Sequence, residues 1–221
     1  MFLSRIKLNL DNRAAVESLL ADEGYLWHQR IWQLFADSPQ RNRDFLYRRE
    51  QNQDGLTFFS LSKRAPLTDH PAWRVESKPF NPKLSAGSSL QFRLTANAVV
   101  RTRDHEKARR HDVVMHYRHQ LKQEQLTEQQ MPNQTKLVQI AGEQWLAKQG
   151  LANGFELTNV IANGYVGHNL QKNDANKPVR FHTIDFAGRL TVTDPAAFLQ
   201  RLYQGFGSSK GFGCGLMLIR K

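Results

Sequence analysis

The sequence is poor in cysteine, in acidic residues and in long apolar runs, and the shortages of cysteine and apolar runs each exclude a class of protein. Its single cysteine, Cys214, excludes an intrachain disulfide and a cysteine-rich zinc site. No stretch approaches the roughly 18 consecutive apolar residues of a transmembrane helix. Residues 1–10 alternate apolar and polar side chains instead of forming the core of a signal peptide. We therefore expect a soluble, cytoplasmic protein.

The shortage of acidic residues leaves a strongly basic chain. Against 31 lysines and arginines stand 20 aspartates and glutamates, a formal net charge of +11 in 221 residues. Such an excess favours a polyanionic partner, either a nucleic acid or an acidic membrane surface. A membrane-surface protein would need an amphipathic basic helix, and residues 109–122 have too few apolar positions for one. We therefore expect a nucleic acid as partner and no membrane association.

Apolar periodicity predicts an α+β fold whose first half begins with a strand and a helix. Alternation over residues 1–10 indicates the strand, and apolar residues at helical spacing over 27–35 indicate the helix. Strands over 44–49 and 57–62 follow, joined by a turn with an Asp-Gly pair. The proline-interrupted segment 66–82 has room for a short helix and a short edge strand.

The second half repeats this order of elements. A helix over 137–145 is predicted to end at Gly150, and Asp194 and Pro195 predict the start of a helix over 196–204. The predicted strands cover 90–97, 155–166, 180–192 and 216–219. Each half thus reads β-α-β-β-α-β, the order of a ferredoxin-like domain. We predict tandem ferredoxin-like domains, residues 1–87 and 88–221, from element order alone, because no sequence repeat relates the halves.

A glycine-rich loop from Gly205 to Gly215 precedes the last strand and holds five glycines around Lys210. Glycines let a polyanion approach the backbone amides, so the loop is predicted to contact phosphate. Its spacing fits neither a Walker loop nor a Rossmann fingerprint. The alternative is a glycine-rich turn in which Lys210 faces solvent. The RNA-binding candidates here are Gly205, Gly207, Ser208, Ser209, Gly211 and Gly213. Phe206 and Phe212 either stack on a base or, as we favour, anchor the loop in the core.

Two residues of the first helix have the chemistry for metal-free RNA cleavage. In that reaction the 2′-hydroxyl attacks the neighbouring phosphate, which requires a proton acceptor, a proton donor and positive charge. Tyr25 and His28 lie three residues apart on one helix face, and Lys210 is a candidate for the positive charge. By spacing alone, a Tyr and a His at a helix start are more often surface or capping residues.

A basic segment from Arg101 to Lys122 lies between a predicted strand and a predicted helix. We interpret it as a long loop that acts as an electrostatic arm for an RNA stem, with a solvated basic loop as the alternative. The RNA-binding candidates of this arm are Arg101, Arg103, Lys107, Arg109 and Arg110. Arg30 of the first helix is a lesser candidate. His116 and His119 lack further ligands nearby, so we predict no metal and no cofactor.

Four motifs in order, followed by the glycine-rich loop, resemble the CasE family of CRISPR RNA endoribonucleases over nearly the whole chain. The motifs are Met1-Phe-Leu-Ser-Arg5, the segment from Tyr25 to Phe35, Arg43-Asp-Phe-Leu-Tyr47 and the segment from Phe92 to Asn97. The resemblance implies ferredoxin-like domains of the RAMP type. It also implies metal-independent cleavage at the base of a CRISPR repeat stem-loop, which leaves a 2′,3′-cyclic phosphate or 3′-phosphate and a 5′-hydroxyl.

The same resemblance assigns roles and partners. It implies that His28 is the catalytic proton-transfer residue, that Tyr25 acts at the scissile phosphate and that the glycine-rich loop shapes the RNA path. The implied partners are the repeat stem-loop, which the protein retains after cleavage, and other subunits of a Cascade complex. The free protein is expected to be a monomer. The alternative is a non-catalytic RNA-binding scaffold subunit of the same fold, which would not need Tyr25 and His28.

Overall fold

The computed structural model describes residues 1–20, 26–35, 43–53, 55–104, 107–125, 127, 129–170 and 178–221. The strands are β1 (Phe2–Leu8), β2 (Phe45–Asn52), β3 (Gly55–Ser62), β4 (Trp73–Pro79), β5 (Ser89–Ala96), β6 (Val99–Asp104), β7 (Lys107–Asp112), β8 (Phe155–Leu170), β9 (Val179–Val192) and β10 (Met217–Arg220). The helices are α1 (Arg13–Leu20), α2 (Leu26–Gln33), α3 (Val113–Gln123), α4 (Gln134–Ala152) and α5 (Pro195–Gln204). None of these described helices is long and apolar enough to cross a membrane.

Two antiparallel four-stranded sheets form the α+β architecture. The first has the order β2-β3-β1-β4 and the second the order β10-β5-β9-β8. In the first sheet β1 pairs with β3 and β4, and in the second sheet β5 pairs with β9 and β10. The first strand of each sheet therefore lies between its third and fourth strands, which is the ferredoxin-like arrangement. The predicted tandem ferredoxin-like fold is therefore confirmed. The division between residues 87 and 88 stays a prediction.

The core of the first half lies between its sheet and α2. Ile31 and Leu34, both fully buried, contribute the apolar stripe that the sequence predicts for this helix. They pack with Ile6 and Phe58 of the sheet and with Trp73, which is 2% exposed. Burial of these large side chains is the main favourable term that attaches α2 to the sheet.

The first half differs from the predicted β-α-β-β-α-β order at two points. Helix α1 is additional, and residues 63–72, all described, contain no helix before β4. Pro66 and Pro71 each remove a backbone donor in this segment. The backbone there instead bonds to another element, because the Leu67 amide donates to the carbonyl oxygen of Leu34 at 2.8 Å.

The second half packs α4 and α5 against one face of its sheet. Leu94 and Leu190 of the strands, Trp145 of α4 and Phe198 of α5 are all buried in this core. Asp194 caps α5 as predicted, because its carboxylate accepts from the amides of Ala196 and Ala197.

Helix α4 does not end at the predicted glycine. It continues through Gly150 to Ala152 and is followed by Gly154, whose φ is +73°. Gly150 serves packing instead, since a Cβ there would lie 2.3 Å from the carbonyl oxygen of Phe155.

Candidate nucleic-acid interface

A cleft of about 660 Å³ lies between the two halves. The first half contributes Trp27 of α2 together with side chains of β2 and β3, and the second half contributes strands and the end of the glycine-rich loop. The lining residues are Trp27, Tyr47, Arg49, Gln51, Phe58, Thr95, Val166, His168, Leu170, Phe181, Thr183, Asp185, Phe212, Gly213 and Cys214. The cleft thus brings α2 and the glycine-rich loop, far apart in sequence, to opposite walls of one space.

The wall formed by α2 is aromatic and carries positive charge. The Trp27 ring lies 5.2 Å from the Phe58 ring and 6.2 Å from the Trp73 ring, measured between centroids. The Arg49 guanidinium lies over Trp27, 5.8 Å from its centroid, within the range of a cation–π contact. These contacts fix Trp27, which directly precedes the described backbone of His28. Tyr25 and the side chain of His28, the predicted catalytic pair, lie outside the described residues.

The glycine-rich loop owes its glycines to backbone geometry and tight packing. Gly205, Gly207, Gly213 and Gly215 all have positive φ, between +72° and +91°. A Cβ at Gly207 would lie 2.5 Å from the carbonyl oxygen of Asn97, and one at Gly215 would lie 2.5 Å from that of Phe206. Backbone conformation and packing therefore account for these glycines. Whether the loop also contacts phosphate stays a prediction.

Contacts with the first half hold the loop in place. A Cβ at Gly205 would lie 2.7 Å from a methyl group of Leu46, and one at Gly213 would lie 3.2 Å from the Tyr47 ring. The Tyr47 hydroxyl donates to the carbonyl oxygen of Gly211 at 3.2 Å. Burial, together with the nearby Cys214, raises the pKa of Tyr47 well above its usual range, so its phenol stays protonated and donating.

The remaining polar residues of the loop bond within the second half. The amide of Ser208 donates to the Asn97 carbonyl oxygen at 3.0 Å, and the Asn97 side-chain amide donates to the Ser209 hydroxyl at 2.7 Å. Ser209 is in the left-handed region with a φ of 53°. Phe206 is fully buried, so the favoured interpretation of this ring as a core anchor is confirmed.

Lys210 lies at the C-terminal end of α5. Its Nζ donates to the carbonyl oxygen of Gln204 at 2.7 Å, a favourable place for a cation at a helix end. Burial lowers the pKa of this amine, and Arg201 and Arg43 lower it further. Three cationic side chains therefore converge here. An ammonium has three donors, so this bond leaves two for an anion.

His168 is a cleft residue that the sequence reasoning left without a role. Its Nε2 lies 2.9 Å from the Thr183 hydroxyl, and its ring stacks on Phe181 at 4.8 Å between centroids. Phe181 in turn lies 5.4 Å from Phe212 of the glycine-rich loop. Burial lowers the pKa of His168, and the nearby His182 lowers it further. No sequence spacing links these residues, because only the β8–β9 pairing and the loop bring them together.

The predicted basic arm is a β-hairpin followed by a helix, so its interpretation as a long loop is wrong. Strands β6 and β7 pair with Arg101 opposite Arg110 and Thr102 opposite Arg109. The side chains of Arg101, Arg109 and Arg110 are exposed, whereas those of Arg103 and Lys107 lie outside the described residues. Helix α3 then returns to the core through Val113, Val114 and Leu121. A two-stranded ladder needs no apolar alternation, which explains why composition indicated a loop.

Asp112 fixes the base of this hairpin. One carboxylate oxygen accepts from the Val114 and Met115 amides, both at 3.0 Å, and from the Tyr165 hydroxyl at 2.9 Å. The other oxygen lies 3.8 Å from Nδ1 of His182. Burial and the Asp112 bond raise the pKa of Tyr165. The carboxylate therefore links the hairpin, α3 and the β8–β9 pair.

Arg30 and the histidines complete the set of predicted sites. Arg30 lies on α2 with a half-buried side chain, near enough to His70 to lower its pKa in addition to the larger effect of burial. Its role in RNA binding stays a prediction. Among the described side chains, no group of three or more His, Cys, Asp or Glu is placed to hold a metal ion.

Comparisons with known proteins place this geometry in context. The profile of a family described as CRISPR associated protein matches residues 1–221. The Cascade subunit CasE of Escherichia coli K12 is 28% identical over 202 residues, which cover 88% of this chain and 90% of the relative. The CRISPR-associated endoribonuclease Cse3 of Thermus thermophilus is 25% identical over 238 residues, which cover 99% of each.

A solved structure of the CRISPR endoribonuclease Cse3 bound to a 19-nt RNA has the same fold. It superposes with a TM-score of 0.72 at 23% identity, and the match covers 100% of both chains. The fold of this chain is therefore that of Cse3 throughout its length.

Proposed function

Because the chain belongs to the CRISPR-associated protein family that contains CasE and Cse3, we propose that it is an endoribonuclease that processes CRISPR repeat RNA as a Cascade subunit. The substrate is a precursor transcript with a stem-loop in each repeat. The enzyme cuts at the base of the stem without a metal ion and retains the product. It acts in the cytoplasm, and before assembly with its partner subunits it is a monomer.

The shared cleft is the observation that carries this proposal. Trp27, next to His28 in α2, lines the same cleft as Phe212 and Gly213 of the glycine-rich loop. We propose that the imidazole of His28 and the backbone of the loop act on one phosphate in this cleft. Such positioning matters because a correctly oriented general acid or base contributes about 10²–10⁴-fold to rate.

In the proposed reaction the 2′-hydroxyl upstream of the cut attacks the adjacent phosphorus, and the bond to the 5′-oxygen breaks. His28 accepts the proton of the 2′-hydroxyl and donates a proton to the departing 5′-oxygen, since an imidazole with a pKa near 6.5 can do both at neutral pH. Tyr25 donates a hydrogen bond at the scissile phosphate. Lys210 stabilises the charge of the pentacoordinate transition state while its bond to the Gln204 carbonyl keeps the amine in place. The products carry a 2′,3′-cyclic phosphate, or the 3′-phosphate formed from it, and a 5′-hydroxyl.

The basic hairpin β6–β7 holds the stem. Its exposed arginines recognise phosphates and groove shape, because the deep, narrow major groove of an RNA helix hides the base edges. The Asp112 carboxylate joins the base of the hairpin to Tyr165 of β8, a strand that also lines the cleft. Arg101, Arg109 and Arg110, whose side chains are exposed, are proposed as contacts for this role together with Arg103 and Lys107.

Two substrates in the presence of EDTA test the reaction. A repeat hairpin should be cut in EDTA, whereas the same hairpin with a 2′-deoxy nucleotide directly upstream of the cut should bind but remain intact. A reaction that EDTA abolishes would indicate a metal nuclease. Binding without cleavage of either RNA would instead support the scaffold alternative.

A further inference from the structure

The second sheet has a concavity of about 580 Å³ on the face that α4 and α5 leave uncovered. It shares no lining residue with the cleft. The lining residues are Gln91, Phe92, Arg93, Asn159, Ala187, Gly188, Arg189, Leu218, Ile219 and Arg220. Phe92 belongs to the core at 3% exposure, so the accessible surface here is formed by polar, basic and aliphatic groups.

Three exposed arginines dominate the charge of this face. Arg93 projects from β5, Arg189 from β9 and Arg220 from β10. The Arg220 Nε donates to the Gln91 side-chain oxygen at 2.8 Å, which orients the guanidinium along the sheet. None of the residues that line this concavity is acidic. The face is therefore complementary to a polyanion.

Neither of the two acidic residues of these four strands lines the concavity, and each lies one same-face pair along the register from an arginine. Asp185 is opposite Thr95 in the β5–β9 register and accepts a hydrogen bond from its hydroxyl. Glu156 is opposite Thr191 near the other end of the sheet. Between these positions Arg189 is opposite Gln91 and Arg93 is opposite Ala187.

The concavity continues the cleft along the same sheet face. Thr95 lines the cleft, and Arg93, two residues back on β5, lines the concavity. In the same way, Asp185 of β9 lines the cleft, and Ala187, two residues further along, lines the concavity. Residues two apart in a strand point to the same side, so one uninterrupted surface leads out of the cleft over the arginines.

We propose that this face binds the sugar–phosphate backbone of the single-stranded RNA that continues from the repeat stem-loop. The inference rests on the proposed function, because the RNA enters from the cleft. Arginine and amide side chains without an accessible aromatic platform recognise phosphates and not bases. Binding at this face is therefore independent of flank sequence and strongly dependent on salt.

The test compares bare and flanked RNAs and two double variants of the full chain. The RNAs are a bare repeat hairpin and the same hairpin extended by about ten uridines, on the 5′ side in one and the 3′ side in another. The variant R93Q/R189Q removes two charges from the face. K136Q/K148Q removes two exposed lysines from α4, on the opposite layer of the same domain, as the matched control.

The wild-type protein should bind the hairpin with one of the two flanks more tightly than the bare hairpin. R93Q/R189Q should lose this advantage. For that RNA it should also lower the slope of log K against log salt by about 1.4, because each of the two lost single-strand phosphate contacts contributes roughly 0.7. Its affinity for the bare hairpin and its cleavage rate should remain those of the wild type, and K136Q/K148Q should behave as wild type on all RNAs. An adenosine flank should give the same result as uridine.

Three results would overturn the inference: no effect of either flank on the wild type, an unchanged flank effect in R93Q/R189Q, or an equal loss on bare and flanked RNA. These results concern binding only. A failure of the proposed function would appear differently, as an absence of cleavage by the wild-type protein.

Discussion

Tyr47 of β2 donates its phenolic hydroxyl to the backbone carbonyl oxygen of Gly211 at 3.2 Å, which joins the first sheet to the glycine-rich loop of the second half. The two residues are 164 positions apart in sequence. The contact sets the position of the loop at the edge of the cleft, and it gives the first prediction.

Tyr47→Phe should destabilise the protein by about 1 kcal/mol, because the ring packing remains while a buried hydrogen bond is lost. Urea unfolding followed by tryptophan fluorescence measures this difference. Cleavage should also slow, since the loop loses this hydrogen bond to β2. Full stability with full activity would show that the bond does not position the loop.

The loop glycines provide a second prediction with an internal control. Gly87 has a φ of +83° with nothing within 4 Å of a built Cβ, whereas Gly207 combines a φ of +72° with the Asn97 carbonyl oxygen at 2.5 Å. Gly87→Ala should therefore cost about 1–2 kcal/mol from backbone strain alone. Gly207→Ala should cost roughly 1–3 kcal/mol more, because the methyl group overlaps backbone. Equal losses of unfolding free energy in the two variants would contradict this account of the loop.

His168 gives a prediction for pH dependence. Its pKa is lowered in the folded protein, so the unfolded chain binds a proton more readily than the folded one below about pH 6.5. Stability should fall as the pH decreases from 7 to 5, and His168→Gln should reduce that fall. Part of the decrease should remain, since His70 is shifted in the same direction. Thermal melting temperatures over this range, measured for both proteins, test the assignment.

The hairpin arginines give a prediction for RNA binding. Arg109→Gln with Arg110→Gln should weaken binding of the repeat hairpin and lower the salt slope by about 1.8, at roughly 0.9 per duplex phosphate contact. Lys136→Gln with Lys148→Gln is again the matched control. A salt slope equal to that of the wild type would place the stem on another surface.

Much of the fold was predictable because it depends on local patterns. The alternation of β5, the apolar stripe of α2 and the Asp194 cap are all visible in short stretches of sequence. Helix α1 was missed because a helix of only eight residues gives a weak periodic signal. The hairpin β6–β7 was missed because backbone pairing between charged strands leaves no apolar pattern.

The site was less predictable than the fold, because its contacts join distant parts of the chain. The sequence identified the glycine-rich loop as unusual, but the partners that require its glycines, Asn97 and Tyr47, lie more than a hundred residues away. His168 likewise reaches the cleft only through the pairing of two long strands. Sequence patterns of short range carry no information about such neighbours.

The most direct test of the central claim compares His28→Ala with the wild-type protein on one repeat hairpin, with cleavage measured under single-turnover conditions and affinity by filter binding. Our account predicts that cleavage falls by at least about 10²-fold while affinity changes little, because His28 transfers protons and does not hold the stem. Undiminished cleavage by the variant would contradict the account.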